Sequence, residues 1–150
     1  MKFVLQSLVC LCLIAVGAAA QPATAEKAEA VRARYESAQA YERASDWLSA
    51  EREWRKVIEL QPDDARAWVN LGVALNRQSK WQEAIDVWTK ASVLDPKLAG
   101  AHFNLGIALE RQRRWAEAAH EYGEVLQRQP NLAAALLRLR YVRLQMTNAR

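Results

Sequence analysis

The side chains best suited to reactive chemistry are few. His102, His120, Cys10 and Cys12 are all the imidazoles and thiols in the 150 residues. A transition-metal centre needs three or four such ligands at fixed spacings, and these residues do not supply them. There is no Gly-rich phosphate loop and no Gly-x-Ser-x-Gly nucleophile turn. Glu51, Glu53, Glu83 and Glu117 read as helix-surface carboxylates paired with an Arg or Lys one turn away. Six tryptophans are present, enough to suggest stacking on bases or sugars. Five of them fall in columns that recur along the chain, which reads as core. The expectation is no catalytic residue, no metal and no cofactor. What remains is non-covalent recognition.

Composition and pattern define the elements that must carry it. With 51% hydrophobic and 25% charged residues, the chain can bury enough surface for one folded domain rather than stay disordered. Twenty-one Lys and Arg against 17 Asp and Glu give a net charge of +4, with both signs interspersed. That is not the basic block of a nucleic-acid arm. Five glycines and four prolines are too few for an all-β chain.

Lys2, the apolar run from Phe3 to Val16 and the Ala18-x-Ala20 site are the three parts of a secretory signal peptide at 1–20. The run is shorter than the roughly 20 residues that span a bilayer, so cleavage is favoured over retention as an anchor. Ala23-x-Ala25 is a second cleavage site, giving a mature start at Gln21 or Glu26. Val9 and Leu11 are too bulky for lipid attachment at Cys10 or Cys12. The mature chain then has no cysteine and folds by packing alone. The expected location is the bacterial periplasm.

Beyond residue 30 a period of 34 residues takes over. Pro62, Pro96 and Pro130 keep it, as do Trp47, Trp81 and Trp115; Ala50, Ala84 and Ala118; Trp54, Trp88 and Tyr122; and Arg43, Arg77 and Arg111. The units run 31–64, 65–98 and 99–132, after a lead-in at 21–30, and a last helix occupies 133–150. Within a unit, Leu71, Ala74, Leu75 and Gln78, then Trp81, Ala84, Ile85 and Trp88, recur at helical spacing. Gly72 and Ala84 are small so that two antiparallel helices can approach closely. The pattern predicts helices at 26–43, 46–60, 64–77, 80–94, 98–111, 114–128 and 131–147. Ser45 and Ser79 (the latter in a capping box with Gln82), together with Asp63, Asp95 and Asn131, are the expected caps. Arg138, Arg140 and Arg143 would give the last helix a polar outer face.

These residues resemble the tetratricopeptide repeat family, whose signature runs Trp, Leu-Gly, Tyr, Ala, Phe, Ala and Pro. Unit two reads Trp68, Leu71-Gly72, Leu75, Ala84, Trp88, Ala91 and Pro96. Unit three reads His102, Leu105-Gly106, Leu109, Ala118, Tyr122, Val125 and Pro130. His102 takes a packing position between helices. Unit one matches least well. The resemblance implies an all-α, right-handed solenoid of three helix–turn–helix repeats with a C-terminal capping helix, acting as a protein-binding scaffold.

It also implies where a partner binds: the concave surface lined by the first helix of each pair. Tyr35, Val69, Asn70, Val73, Arg77, Phe103, Asn104, Ile107 and Arg111 map to it, and Leu137, Tyr141 and Leu144 continue it. Its floor is apolar, on faces the repeats do not need for their own packing. Arg43, Arg77 and Arg111 form a row for carboxylates, unless they are only solvated helix ends. Asn70 and Asn104 offer a donor and an acceptor each to a peptide backbone. The expected ligand is a peptide or amphipathic helix of another protein, apolar with some acidic residues. The alternatives are self-association, with the groove holding a neighbour's last helix, or a non-catalytic accessory subunit of an envelope enzyme. The family's clamp for chaperone C-termini needs Lys and Asn where Tyr35 and Gln39 stand, and Gly100 replaces a further Lys. No nucleic-acid contact and no stable membrane anchor after cleavage are expected.

Overall fold

The computed structural model describes residues 24–148. The expected signal peptide lies outside them. Seven helices run in succession: α1 (24–43), α2 (Trp47–Leu60), α3 (Ala65–Arg77), α4 (Trp81–Leu94), α5 (Ala99–Arg111), α6 (Trp115–Arg128) and α7 (Ala133–Asn148). There is no strand among the described residues. From α2 onward each helix packs on its neighbours in sequence, and the array is a helical-repeat solenoid. The observed bounds lie within two residues of those the periodicity predicts.

The core is a column of aromatic residues from the even-numbered helices, each wedged against the preceding odd-numbered helix. Trp54, Trp88 and Tyr122 are buried. Gly72 is required beneath Trp88, because a Cβ there would stand 2.2 Å from the indole Nε1. At Gly106 a Cβ would meet Tyr122 Cε1 at 2.7 Å. In this seat the Trp88 indole N–H reaches the Val69 carbonyl at 3.0 Å. Unit one has Ala38 in the same column, and Trp54 donates instead to Glu42 at 2.8 Å. Losing one such ring costs about 3–5 kcal/mol.

The turns differ from the expected capping. Ser45 and Ser79 are not N-caps: both adopt positive φ, 59° and 63°, as does Arg113 at 59°. Each is the left-handed residue that closes an odd-numbered helix. Ser79 N–H bonds the Asn76 carbonyl and Lys80 N–H the Leu75 carbonyl, the two bonds of a Schellman motif. The N-cap of α2 is Asp46, which accepts from the Ser49 N–H. Asp64, not Asp63, caps α3, accepting from Arg66 and Ala67 N–H. Asp95 closes α4 and accepts from the Lys97 N–H rather than starting α5. No side-chain bond from Asn131 caps α7. A serine hydroxyl and a left-handed backbone suit neighbouring positions in the same turn, so residue type alone misplaces the cap by one.

Two carboxylates expected on the surface are buried. Glu51 accepts from Lys80 Nζ at 2.7 Å, Gln78 Nε2 at 2.8 Å and Arg55, tying α2 to the turn before α4. Burial opposes its ionisation, but those three donors outweigh it and hold the carboxyl below its ordinary range. Glu53 is likewise buried and held low by Lys56 and Arg34 against its own desolvation.

Candidate functional site

The inner face consists of the same helical columns repeated on α1, α3, α5 and α7, so its geometry derives from the 34-residue step. Val69 and Val73 on α3, and Phe103 and Ile107 on α5, are partly buried and packed against the core. Phe103 tilts against Tyr122 with ring centroids 5.9 Å apart. The expectation that these side chains are free of structural duty is therefore corrected: each presents one edge to solvent and rests the other on the next helix. On α7 the columns are more exposed. Leu137 is 68% exposed, Leu144 53% and Tyr141 47%, while Tyr141 keeps an edge contact with Trp115 at 6.2 Å.

Tyr35 is a structural residue at the N-terminal end of this surface. Its hydroxyl donates to Asp64 at 2.5 Å and its ring meets Trp54 edge-on at 4.8 Å. Burial first, then the hydrogen bond to Asp64, raises the phenol above its usual range, so it stays protonated. Asn70 and Asn104 are half-buried and bond no other described residue through their side chains. Their amides remain available, as a backbone-holding role requires.

The arginine row is not uniform. Arg77 lies over the Trp47 ring at 5.3 Å and Arg111 over the Trp81 ring at 5.1 Å. Arg111 also donates to Asn76 at 3.1 Å. Each guanidinium covers the tryptophan that opens the preceding even-numbered helix, a cation–π contact worth roughly 0.5–1 kcal/mol at such exposed sites. Arg43 has no tryptophan before it. Correspondingly, Trp81 is 44% exposed and Trp47 half-buried, so of the five tryptophans read as core Trp54 and Trp88 are buried, Trp115 is partly buried against the core, and Trp47 and Trp81 lie outside it. At the third step Gln145 replaces the arginine and Tyr141 covers Trp115.

One polar contact crosses the surface that the sequence reading missed. Glu110 accepts from the Tyr122 hydroxyl at 2.7 Å and from Arg138 Nη1 at 3.1 Å. Arg138 is therefore drawn onto α5 and does not contribute to an outer polar face. Burial, then the Glu110 carboxylate, raises the Tyr122 phenol. The signal was the paired spacing of Glu110 and Arg138, but 28 residues separate them and only the array brings them together. His102 is buried between Glu121 at 2.7 Å from Nδ1 and the Pro96 carbonyl at 3.1 Å from Nε2, a packed position. No group of three metal-ligating side chains converges among the described residues, and no helix there is long and apolar enough to cross a membrane.

A family model described as Tetratricopeptide repeat matches residues 35–99 and 77–134, most of the array. This chain belongs to the tetratricopeptide repeat family. Solved structures agree on the fold. The Arabidopsis OM64 TPR domain superposes with a TM-score of 0.74 at 26% identity, covering 78% of this chain and 97% of that one. The first TPR of Spaghetti (RPAP3), bound to the HSP90 peptide SRMEEVD, gives 0.76 at 21% identity over 79% and 94% of the two chains. The TPR2B domain of yeast Sti1, in a complex with pHsp70, gives 0.70 at 20% identity over 81% and 99%. No curated protein matches the chain in sequence.

Proposed function

We propose that this tetratricopeptide chain is an exported, non-catalytic scaffold that holds a segment of another protein on its inner face, in the assembly of a bacterial envelope complex. The observation that carries the reading is the apolar strip from Val69 and Phe103 to Leu137, Tyr141 and Leu144, which ends in three large side chains open to solvent. A contiguous apolar patch of this kind marks an interaction site. Similar arrays are seen with peptides bound, the Spaghetti domain with SRMEEVD among them. The occupant suited to this chain is a peptide or amphipathic helix with apolar anchors, its backbone held by Asn70 and Asn104. Arg43, the arginine without a tryptophan to cover, is the cation for an acidic residue of that partner. Tyr35, Gln39 and Gly100 supply no clamp for a C-terminal carboxylate.

The test is crosslinked capture from the native envelope with wild type and with Tyr141→Glu. The expected result is one protein captured by wild type and lost from the variant, at an unchanged melting temperature. Equal capture by both would remove the inner face as the site.

A further inference from the structure

The two ends of the array are complementary. By the 34-residue count α7 is the first helix of a fourth unit. In units two and three that helix covers four columns against its own second helix: Trp68 and His102, Leu71 and Leu105, Gly72 and Gly106, Leu75 and Leu109. In α7 the columns are Leu136, Leu139, Arg140 and Arg143; Leu139 is buried against the array, and Leu136, Arg140 and Arg143 are left open. They line a surface cavity. Leu136 is 47% exposed, and Arg140 and Arg143 are exposed and pair with no described residue, unlike Arg138. The face is therefore apolar with two uncompensated cations.

At the other end α1 presents the face that α3, α5 and α7 bury against the preceding helix. Ala67, Ala101 and Ala135 are fully buried in one column, and Ala74, Ala108 and Val142 are buried in another. Ala33 and Ala40 hold those columns in α1 and are exposed. At 100° per residue, Glu26 and Glu29 flank the alanines, Glu36 lies further round beside Arg43, and no Lys or Arg stands as near the alanines as Glu26 and Glu29 do. Glu36 pairs with Arg32, whereas Glu26 and Glu29 pair with no described residue.

We propose that the open face of α7 is a docking site for α1 of a second copy of this chain. Glu26 and Glu29 are three residues apart, as are Arg140 and Arg143, so two ion pairs can form in one register. The small side chains of Ala33 and Ala40 let the helices approach until Leu136 is covered. The two surfaces are different parts of one chain, so the contact is heterologous, and copies add head to tail. It uses neither Leu137 nor Tyr141 and meets the inner-face strip only at its edge, where Leu144 also lines the cavity.

The test is the mass of the purified protein by sedimentation velocity over a wide concentration range, at low and high salt. Wild type is expected to grow in mass with concentration, and less so at high salt, where exposed ion pairs are screened. Two charge-reversed variants, Arg140→Glu with Arg143→Glu and Glu26→Arg with Glu29→Arg, each stay monomeric alone and assemble when mixed. Circular dichroism of each checks the fold, since all four side chains are exposed. A wild type that is monomeric throughout overturns the proposal. So does assembly by either variant alone, or a mixture that fails to assemble. Tyr141→Glu assembles like wild type. If it does not, self-association runs through the inner face and the proposal fails, while the protein-binding reading stands or falls on its own capture experiment.

Discussion

Helices α5 and α7 carry the same inner-face columns and use them differently. Phe103 and Ile107 on α5 lean on the core, and Glu110 is bound to Tyr122 and Arg138. Leu137, Tyr141 and Leu144 occupy those three columns on α7 and are mostly bare. The difference comes from the helices that pack on the C-terminal side of each. Next to α5 stand α6, whose Tyr122 packs against Phe103, and α7, whose Arg138 reaches back to Glu110. Beyond α7 there is no described helix. An interior position of the array is thus half-covered by its neighbours, whereas the same columns on α7 are left more exposed.

The largest expected effect tests that contrast directly. Phe103→Glu places a charge against a buried aromatic contact and is expected to cost about 2–4 kcal/mol. Tyr141→Glu, in a neighbouring column of a helix with an open flank, should stay within about 1 kcal/mol of wild type. Urea unfolding of both variants measures the gap, and equal losses would erase the distinction between the two helices.

A smaller effect sharpens it. Gly106→Ala forces a Cβ to within 2.7 Å of the Tyr122 ring and should lose about 1–3 kcal/mol by overpacking. Arg140→Ala, in the same column of α7, has no ring above it and should change stability by less than about 0.5 kcal/mol. Thermal unfolding of the pair settles whether close approach is demanded only where an even-numbered helix packs on next.

The smallest effect concerns charge. Glu51 is buried among Lys80, Gln78 and Arg55, whereas Arg140 and Arg143 stand in solvent. Because the folded carboxyl titrates below its ordinary value of 4.5, its contribution is complete above that pH and is lost as pH falls through the lower folded value. Glu51→Gln is expected to cost about 1–2 kcal/mol at neutral pH, and the deficit should shrink as the pH falls below 4.5. A deficit independent of pH would mean that the charge of Glu51 contributes nothing. Replacing Arg140 or Arg143 should leave the pH dependence of unfolding unchanged.

Much of the fold is legible in the chain because a repeat states its rule several times. Gly72 and Gly106 stand where Trp88 and Tyr122 must seat, and the prolines at a 34-residue step mark each return turn. The site is less legible. Position within a unit places Val69, Phe103 and Leu137 in one column, but their shared column does not say how much of each is covered. Glu51 reads as a surface residue from its own helix, and only the approach of Lys80, 29 residues on, makes it a buried one. Ser79 carries a capping side chain and yet has the left-handed backbone, because the geometry of the turn is set by the two helices it joins.

The sequence by itself determined the helices, their number, their order and which side of each faces inward, since these depend on local periodicity and on residue size at close contacts. The tertiary structure decided exposure: that Leu137, Tyr141 and Leu144 are open while Phe103 is half-buried, that Arg77 and Arg111 lie over tryptophans while Arg43 does not, and that Arg138 is drawn onto Glu110. Burial is a property of neighbours, and in a stacked array the neighbour of any helix lies one repeat away in sequence.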